Sequence, residues 1–335
     1  MALIDFKGWM PIDAVIVNGQ PGLCWMDMAG VDLAEPFFQQ TVDSVRARYP
    51  EREERFTEFH TLVQLEKTFD SVAPTGFIFH SSRCGSTLVA NACRAIAGAI
   101  VLSEPPAVDK LVVRFITDAF DQSVKEKVYS IFVRAVVKAL AQRRTGQERH
   151  LFVKFACCSV SQIVSIRRIW PGVPWIFLYR DPVETIVSNM QDRPAWLLDD
   201  DRRVLASIIG SSTSAVAEMI PEELCARTIA SFYATAHRVA NDRSLLLNYN
   251  QLSPAEISNA LQFFGIEPAA TEMETIARQS QTYSKSTEAR AFAADSAAKQ
   301  RVATDFVREM AATWAAKPYQ LLEQKRLETN NHDRK

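Results

Sequence analysis

The sequence predicts an α/β protein with a central parallel sheet of about five strands flanked by helices. Three observations predict it. Short apolar runs alternate with longer amphipathic segments between residues 76 and 268. Those runs are almost wholly apolar, which suits strands buried on both faces rather than half-solvated ones. No internal repeat and no glycine-rich or low-complexity stretch offers another architecture.

Residues 1–75 precede this alternation as an N-terminal extension of their own. Ala14–Val17 and Leu23–Met26 flank Asn18-Gly19-Gln20-Pro21-Gly22, which reads as a hairpin with a longer turn. Pro36 opens a helix with apolar residues at 37, 38, 42 and 45. Tyr49–Glu58 is a charge run, expected to be a solvated face. Gly76–His80 is the first strand of the core, and Thr87–Ala97 is a helix with Leu88, Val89, Ala92 and Ile96 on one side. Ala99–Leu102 is the second strand, ended by Glu104-Pro105-Pro106. Asp121 caps a long helix reaching Arg144. Leu151–Phe155 is the third strand, followed by a helix over Ser161–Trp170. Trp175–Tyr179 is the fourth, and Pro182 starts the helix that runs to Met190. Helices dominate 200–242, and Leu245–Tyr249 is the fifth strand. Ser253, Pro254 and Glu256 suit the N-cap, N1 and N3 positions of a helix that Gly265 ends. Residues 269–335 read as a polar loop, an alanine-rich helix packing on the core, and a frayed tail over Glu328–Lys335.

Composition removes several functions. The 335 residues carry a net charge of −1, so no basic field attracts nucleic acid or an anionic membrane. No apolar stretch reaches the roughly 18 residues a membrane span needs. The 11 glycines are too few and too scattered for G-x-G-x-x-G, G-x-x-x-x-G-K-[ST] or G-x-S-x-G. The six cysteines form no C-x-x-C pair and no disulfide scaffold, so a reducing compartment is expected. The five histidines are too dispersed for H-E-x-x-H, and no metal is expected. The first residues lack a basic region followed by a long apolar run, so the expectation is a cytoplasmic protein.

In parallel sheets ligands bind beyond the carboxyl ends of the strands. The first strand runs into His80-Ser81-Ser82-Arg83-Cys84-Gly85-Ser86-Thr87 and then a helix. The second ends at Ser103-Glu104, the third contains Lys154, and Arg180-Asp181-Pro182 follows the fourth. These are cations, small hydroxyls and one carboxylate, the makings of an anion pocket. A strand, a tight turn and a helix N-terminus aim backbone N–H groups at an anion. Ser86 and Thr87 add hydroxyl donors and Arg83 a charged fork. A lysine between the glycine and the hydroxyl residue, which a γ-phosphate and magnesium site needs, is missing.

Phe79–Val89, F-H-S-S-R-C-G-S-T-L-V, resembles the 5′-phosphosulfate loop of sulfotransferases, commonly [RK]-[ST]-G-[ST]-[ST]-x-[LV]. Arg180-Asp181-Pro182 with Ser188 resembles their second signature, R-[DN]-P-x5-S, which grips a 3′-phosphate. The two stand about 100 residues apart in the same order. Leu247–Leu252, L-N-Y-N-Q-L, is similar to the family's Y-E-x-L strand, with Asn250 in place of the glutamate. The resemblance covers roughly 76–268 and leaves 1–75 unexplained.

It implies a P-loop-type three-layer fold and transfer of a sulfuryl group from 3′-phosphoadenosine 5′-phosphosulfate (PAPS) to a hydroxyl or amine, without a metal. Ser82, Arg83, Cys84, Gly85, Ser86 and Thr87 match the first anion site, Arg180 and Ser188 the second. Glu104, 21 residues beyond Arg83, resembles the catalytic glutamate of the tyrosylprotein branch, and Lys154 its strand-three lysine. Glu104 would act as base, with Lys154 and Arg83 stabilising the charge that develops on transfer. Ser284-Lys285 resembles a Ser-Lys pair that contacts the 3′-phosphate, and Tyr249 reads either as an adenine-side contact or as core.

Plainer readings stand beside these. His80 is expected to be a hydrogen-bonded strand-end residue. Cys84 is expected to fill space, although a helix N-terminus beside Arg83 would lower its thiol pKa. Cys157 and Cys158 are expected to be buried, and Trp9, Trp25, Trp196, Phe37 and Phe38 to be core unless they line an acceptor pocket. The alternative functions are a nucleotide-dependent kinase or NTPase and a catalytically silent nucleotide-binding module. The near-neutral charge favours a small-molecule or peptide acceptor over a polyanionic glycan. No motif bears on the oligomeric state.

Overall fold

Two sheets organise the chain, and the computed structural model describes residues 5–114, 122–280 and 295–332. In the first sheet β1 (Trp9–Val17) and β2 (Gln20–Asp27) pair antiparallel, and β3 (Glu54–Glu58) adds to β2. The hairpin turn is tighter than the sequence suggests. Val17 faces Gln20, so Asn18-Gly19 alone makes the turn, with φ of 51° and 77°. Asn-Gly adopts two left-handed residues readily and matches the twist of the strands. Gln20, Pro21 and Gly22 therefore belong to β2, and a Cβ on Gly22 would lie 2.2 Å from Thr57 O. The charge run also resolves differently in part. Its second half is the edge strand β3, which exposes Glu54 and Glu58 but buries Thr57. The Thr57 hydroxyl accepts from Trp25 Nε1 at 2.8 Å. Charged side chains on an edge strand discourage further pairing. Helices α1 (Phe38–Arg48) and α2 (Phe59–Leu65) accompany this sheet.

The second sheet contains β4 (Gly76–His80), β5 (Ala99–Ser103), β6 (His150–Lys154), β7 (Trp175–Tyr179) and β8 (Ser244–Asn248). Its order is β5-β6-β4-β7-β8, and every pairing is parallel. The α/β class and the five-strand parallel sheet thus stand as the sequence predicts. Side chains alternate between two apolar layers. Phe77, Phe79, Trp175 and Phe177 face one, while Ile78, Phe152, Ile176 and Leu178 face the other. The first layer is continuous with the N-terminal sheet through Phe6, Met10 and the fully buried Trp25.

Helix α3 (Ser86–Arg94) follows β4, and α4 (Pro106–Arg114) follows β5. The sequence reads Pro105-Pro106 as a stop. Proline is also favoured at the first position of a helix, and Pro106 occupies it in α4. Next come α5 (Gln122–Leu140), a 3-10 turn over Cys157–Gln162, α6 (Ile163–Ile169) and α7 (Pro182–Gln191). The proposed cap Asp121 lies outside the described residues. Asp181 caps α7 by accepting from Glu184 N at 3.2 Å. Helices α8 (Ala195–Leu198), α9 (Arg203–Ile209), α10 (Thr213–Ala217) and α11 (Pro221–Val239) lead to β8, and α12 (Pro254–Phe263) starts at the Ser253 cap. The chain closes with α13 (Ala270–Ser280), α14 (Ser296–Val302), α15 (Asp305–Met310) and α16 (Ala316–His332). Helix α16 continues through residues read as a frayed tail, because Thr329 and Gln324 still find partners one turn away. Its Glu323 accepts from Tyr179 and Asn248, tying α16 to β7 and β8. No helix among the described residues is long and apolar enough to cross a membrane.

Candidate active site

β4 lies at the centre of the sheet, between β6 and β7. The chain leaves it toward one edge and later crosses to the other, so a crevice opens at its carboxyl end. A cleft of about 490 Å³ lies there. Ser82, Arg83, Cys84, Gly85, Ser86, Thr87, Glu104, Lys154, Arg180, Ser188 and Tyr249 all line it. Ser284 and Lys285 lie outside the described residues.

The loop after β4 has the backbone that anion binding needs. Ser82, Arg83 and Gly85 have φ of 74°, 51° and 81°. Left-handed backbone turns consecutive N–H groups to one side. Gly85 is the N-cap of α3, and a Cβ there would approach the Tyr249 ring to 3.2 Å. Glu104, with φ of 52°, is also left-handed. Among the described residues Asn18 is the one other non-glycine with positive φ, so three of four such residues surround this cleft. Such strain gathers where the surrounding structure holds a functional geometry.

Lys154 is fully buried and donates to Glu104 Oε1. The sheet sets this contact, since Ser103 pairs with Lys154 and Glu104 N donates to Lys154 O at 2.7 Å. His80 Nδ1 accepts from Ser82 N at 3.1 Å, which leaves its proton on Nε2, 3.2 Å from Glu104 Oε1. Burial pushes the Glu104 pKa up. The Lys154 charge and the His80 hydrogen bond outweigh this and hold the carboxyl well below the usual carboxylate range. Asp109 supports the same strand end, with Oδ1 accepting from Ala156 N and Ser159 Oγ at 2.9 Å each.

Arg180 is 3% exposed, with its guanidinium over the Tyr249 ring at 4.1 Å. Tyr249 is therefore a cleft residue rather than core. The guanidinium donates to Glu184 at 2.7 Å and to Asp295 at 2.6 Å. Burial works against its charge, and these two carboxylates overcome that and raise its pKa. Tyr233 OH donates to Arg180 O at 2.8 Å and fixes the strand end. Arg83 is bound in the same way, with Nη2 2.5 Å from Asp192 Oδ2. Both arginines are thus paired with carboxylates.

Several charged residues in or beside the cleft escape sequence reasoning. Lys299 of α14 stands 3.9 Å from Asp295; burial lowers its pKa, and the nearby Arg180 and Arg83 charges lower it further. Asp192 and Asp295 line the cleft. Only tertiary approach brings them there, and no local motif marks them. Of the five aromatics weighed for an acceptor pocket, Phe37 and Trp196 line the cleft, while Trp25 and Phe38 are core and Trp9 packs against it. Cys157 and Cys158 are buried, and Cys157 reaches the cleft wall. The lowered thiol pKa at Cys84 is corrected. The side chain is 1% exposed, its thiol donates to Leu178 O at 3.2 Å, and burial pushes its pKa up.

No family model matches the chain, and no curated protein matches it. Among solved structures it is similar to sulfotransferase STF9 from Mycobacterium avium, at 11% identity over 76% of this chain and 80% of that one, with a TM-score of 0.43. It is also similar to mouse sulfotransferase SULT7A1 complexed with PAP, at 14% identity over 80% and 96% of the two chains, with a TM-score of 0.42. A third is the sulfotransferase domain of the Synechococcus PCC 7002 olefin synthase, at 16% identity over 76% and 94%, with a TM-score of 0.41.

Proposed function

We propose that the protein transfers a sulfuryl group from PAPS to an acceptor hydroxyl or amine by in-line displacement. The observation that carries this reading is the convergence, in one cleft, of Arg83 and Arg180 with the fully buried Lys154 and its half-buried partner Glu104. PAPS presents a 5′-phosphosulfate and a separate 3′-phosphate. Arg83 with Gly85, Ser86 and Thr87 suits the first, and Arg180 with Ser188 the second.

Paired with Lys154, Glu104 is a weak base. Sulfuryl oxygens would give Lys154 a new partner. Glu104 would then keep burial and the His80 contact, and its proton affinity would rise. The carboxylate takes the acceptor's proton as the acceptor oxygen bonds to sulfur. The bond from sulfur to the bridging phosphate oxygen breaks, and adenosine 3′,5′-bisphosphate leaves. Arg83 and Lys154 stabilise the charge that grows on the bridging and sulfuryl oxygens.

Isothermal titration tests the donor site. The expected result is saturable binding of adenosine 3′,5′-bisphosphate without metal, tighter than binding of ATP with magnesium. Preference for magnesium–ATP would overturn the reading in favour of a kinase or NTPase. The carboxylate on Arg180 supplies a second test. Asp295 is 40% exposed, and its pair with Arg180 must break for a phosphate to bind there. Asp295→Asn is expected to tighten bisphosphate binding about two- to fivefold, the worth of a part-exposed ion pair. Weaker binding would place Asp295 among the groups that help hold the ligand.

A further inference from the structure

Phe37 is the one residue of the N-terminal 75 that reaches the cleft among the described residues. Its ring lies 4.8 Å from Lys154 Nζ, beside the Lys154–Glu104 pair. The next residue, Phe38, is 3% exposed and packs into the core, whereas Phe37 is only half-buried. The segment that carries Phe37 is pinned through its carbonyls. Arg94 Nε donates to Leu33 O at 3.0 Å, and Arg144 Nη1 donates to Val31 O at 2.5 Å. Arg94 stands in α3, the helix that begins at the anion loop, so the position of Phe37 is tied to that loop. Lys110 of α4 holds the N-terminal sheet itself, with Nζ 2.6 Å from Asp13.

The cleft is uneven in charge. Arg83, Arg180, Asp192 and Asp295 gather at the anion-loop end. Around Lys154 and Glu104 the wall includes the Phe37 ring and the Cys157 thiol, and Trp196 also lines the cleft. We propose that Phe37 is a specificity-determining residue that forms one wall of the acceptor subsite, held there by the contacts of its segment with Arg94 and Arg144. The acceptor it selects is a small, flat, uncharged molecule bearing the reacting hydroxyl. A flat ring packs on a phenyl wall, and an acidic acceptor meets the Glu104 carboxylate. This inference rests on the sulfuryl-transfer reading.

The test uses the full chain with PAPS and two acceptors, 2-naphthol and an acidic tyrosine peptide. Bisphosphate binding is followed by calorimetry in parallel. Phe37→Ala is expected to raise the KM for 2-naphthol about tenfold with bisphosphate affinity unchanged, and Phe37→Tyr to restore most of it. An unchanged KM in Phe37→Ala, or a wild-type preference for the acidic peptide, overturns the inference and leaves sulfuryl transfer standing. Bisphosphate binding without transfer to either acceptor also overturns it. Absence of bisphosphate binding in the wild type overturns the sulfuryl-transfer reading, and the inference with it.

Discussion

Replacing Glu104 by glutamine is expected to leave adenosine 3′,5′-bisphosphate binding unchanged while slowing sulfuryl transfer about 10²- to 10⁴-fold, the usual contribution of a positioned base. Glutamine keeps a carbonyl oxygen where Oε1 stands, so Lys154 and His80 retain an acceptor. It cannot take a proton from the acceptor hydroxyl. Lys154 is 0% exposed, and loss of its counter-charge also costs stability. A thermal melt separates that cost from catalysis, because unfolding lowers binding and turnover together, whereas loss of a base lowers turnover alone. Full turnover in Glu104→Gln would remove Glu104 from the role.

Replacing Arg180 by alanine is expected to weaken bisphosphate binding about 30-fold to several-thousand-fold. Removing one member of a buried, hydrogen-bonded charge pair costs about 2–5 kcal/mol, and each 1.4 kcal/mol is about tenfold. Glu184 is only 3% exposed and would lose its cationic partner, keeping Ser296 and Gln300 as donors, so Arg180→Ala also strains the fold. Arg180→Lys keeps a cation beside Glu184 but lacks the planar fork. Its expected loss of affinity is about tenfold, with a melting temperature near that of the wild type. Wild-type affinity in Arg180→Ala would place the second anion elsewhere.

The two halves of the cleft differ in how far the sequence reveals them. The loop from Ser82 to Thr87 and the turn at Arg180 are contiguous, so strand, turn and helix start can be read from neighbouring residues. Lys154 is visible for another reason: a lysine inside an apolar run is out of place unless it has a partner. Glu104 is read from its place at the end of the second strand and from the family resemblance. Asp295 reaches Arg180 across 115 residues, and Asp192 reaches Arg83 across 109. Nothing local marks such a meeting. Cys84 shows the opposite limit. The space-filling reading of Cys84 holds, but the ionisable thiol that its neighbours also suggest does not, because the packing of α3 against the sheet buries the side chain. The same holds for Pro105-Pro106, which breaks the preceding strand and also starts α4.

The strand order has a consequence for how the molecule is made. β4 pairs with β6 and β7, which follow it in sequence by roughly 70 and 100 residues. The cleft draws on residues from Phe37 to Asp295. Pairings so distant along the chain form late, because loop closure must precede any reward from contact. Helices such as α11 can coil early, but the anion loop has no neighbours to hold its left-handed residues until β6 and β7 have docked. By this argument the left-handed geometry of the loop after β4 forms late in folding, and it marks the completed native state more stringently than helix content does.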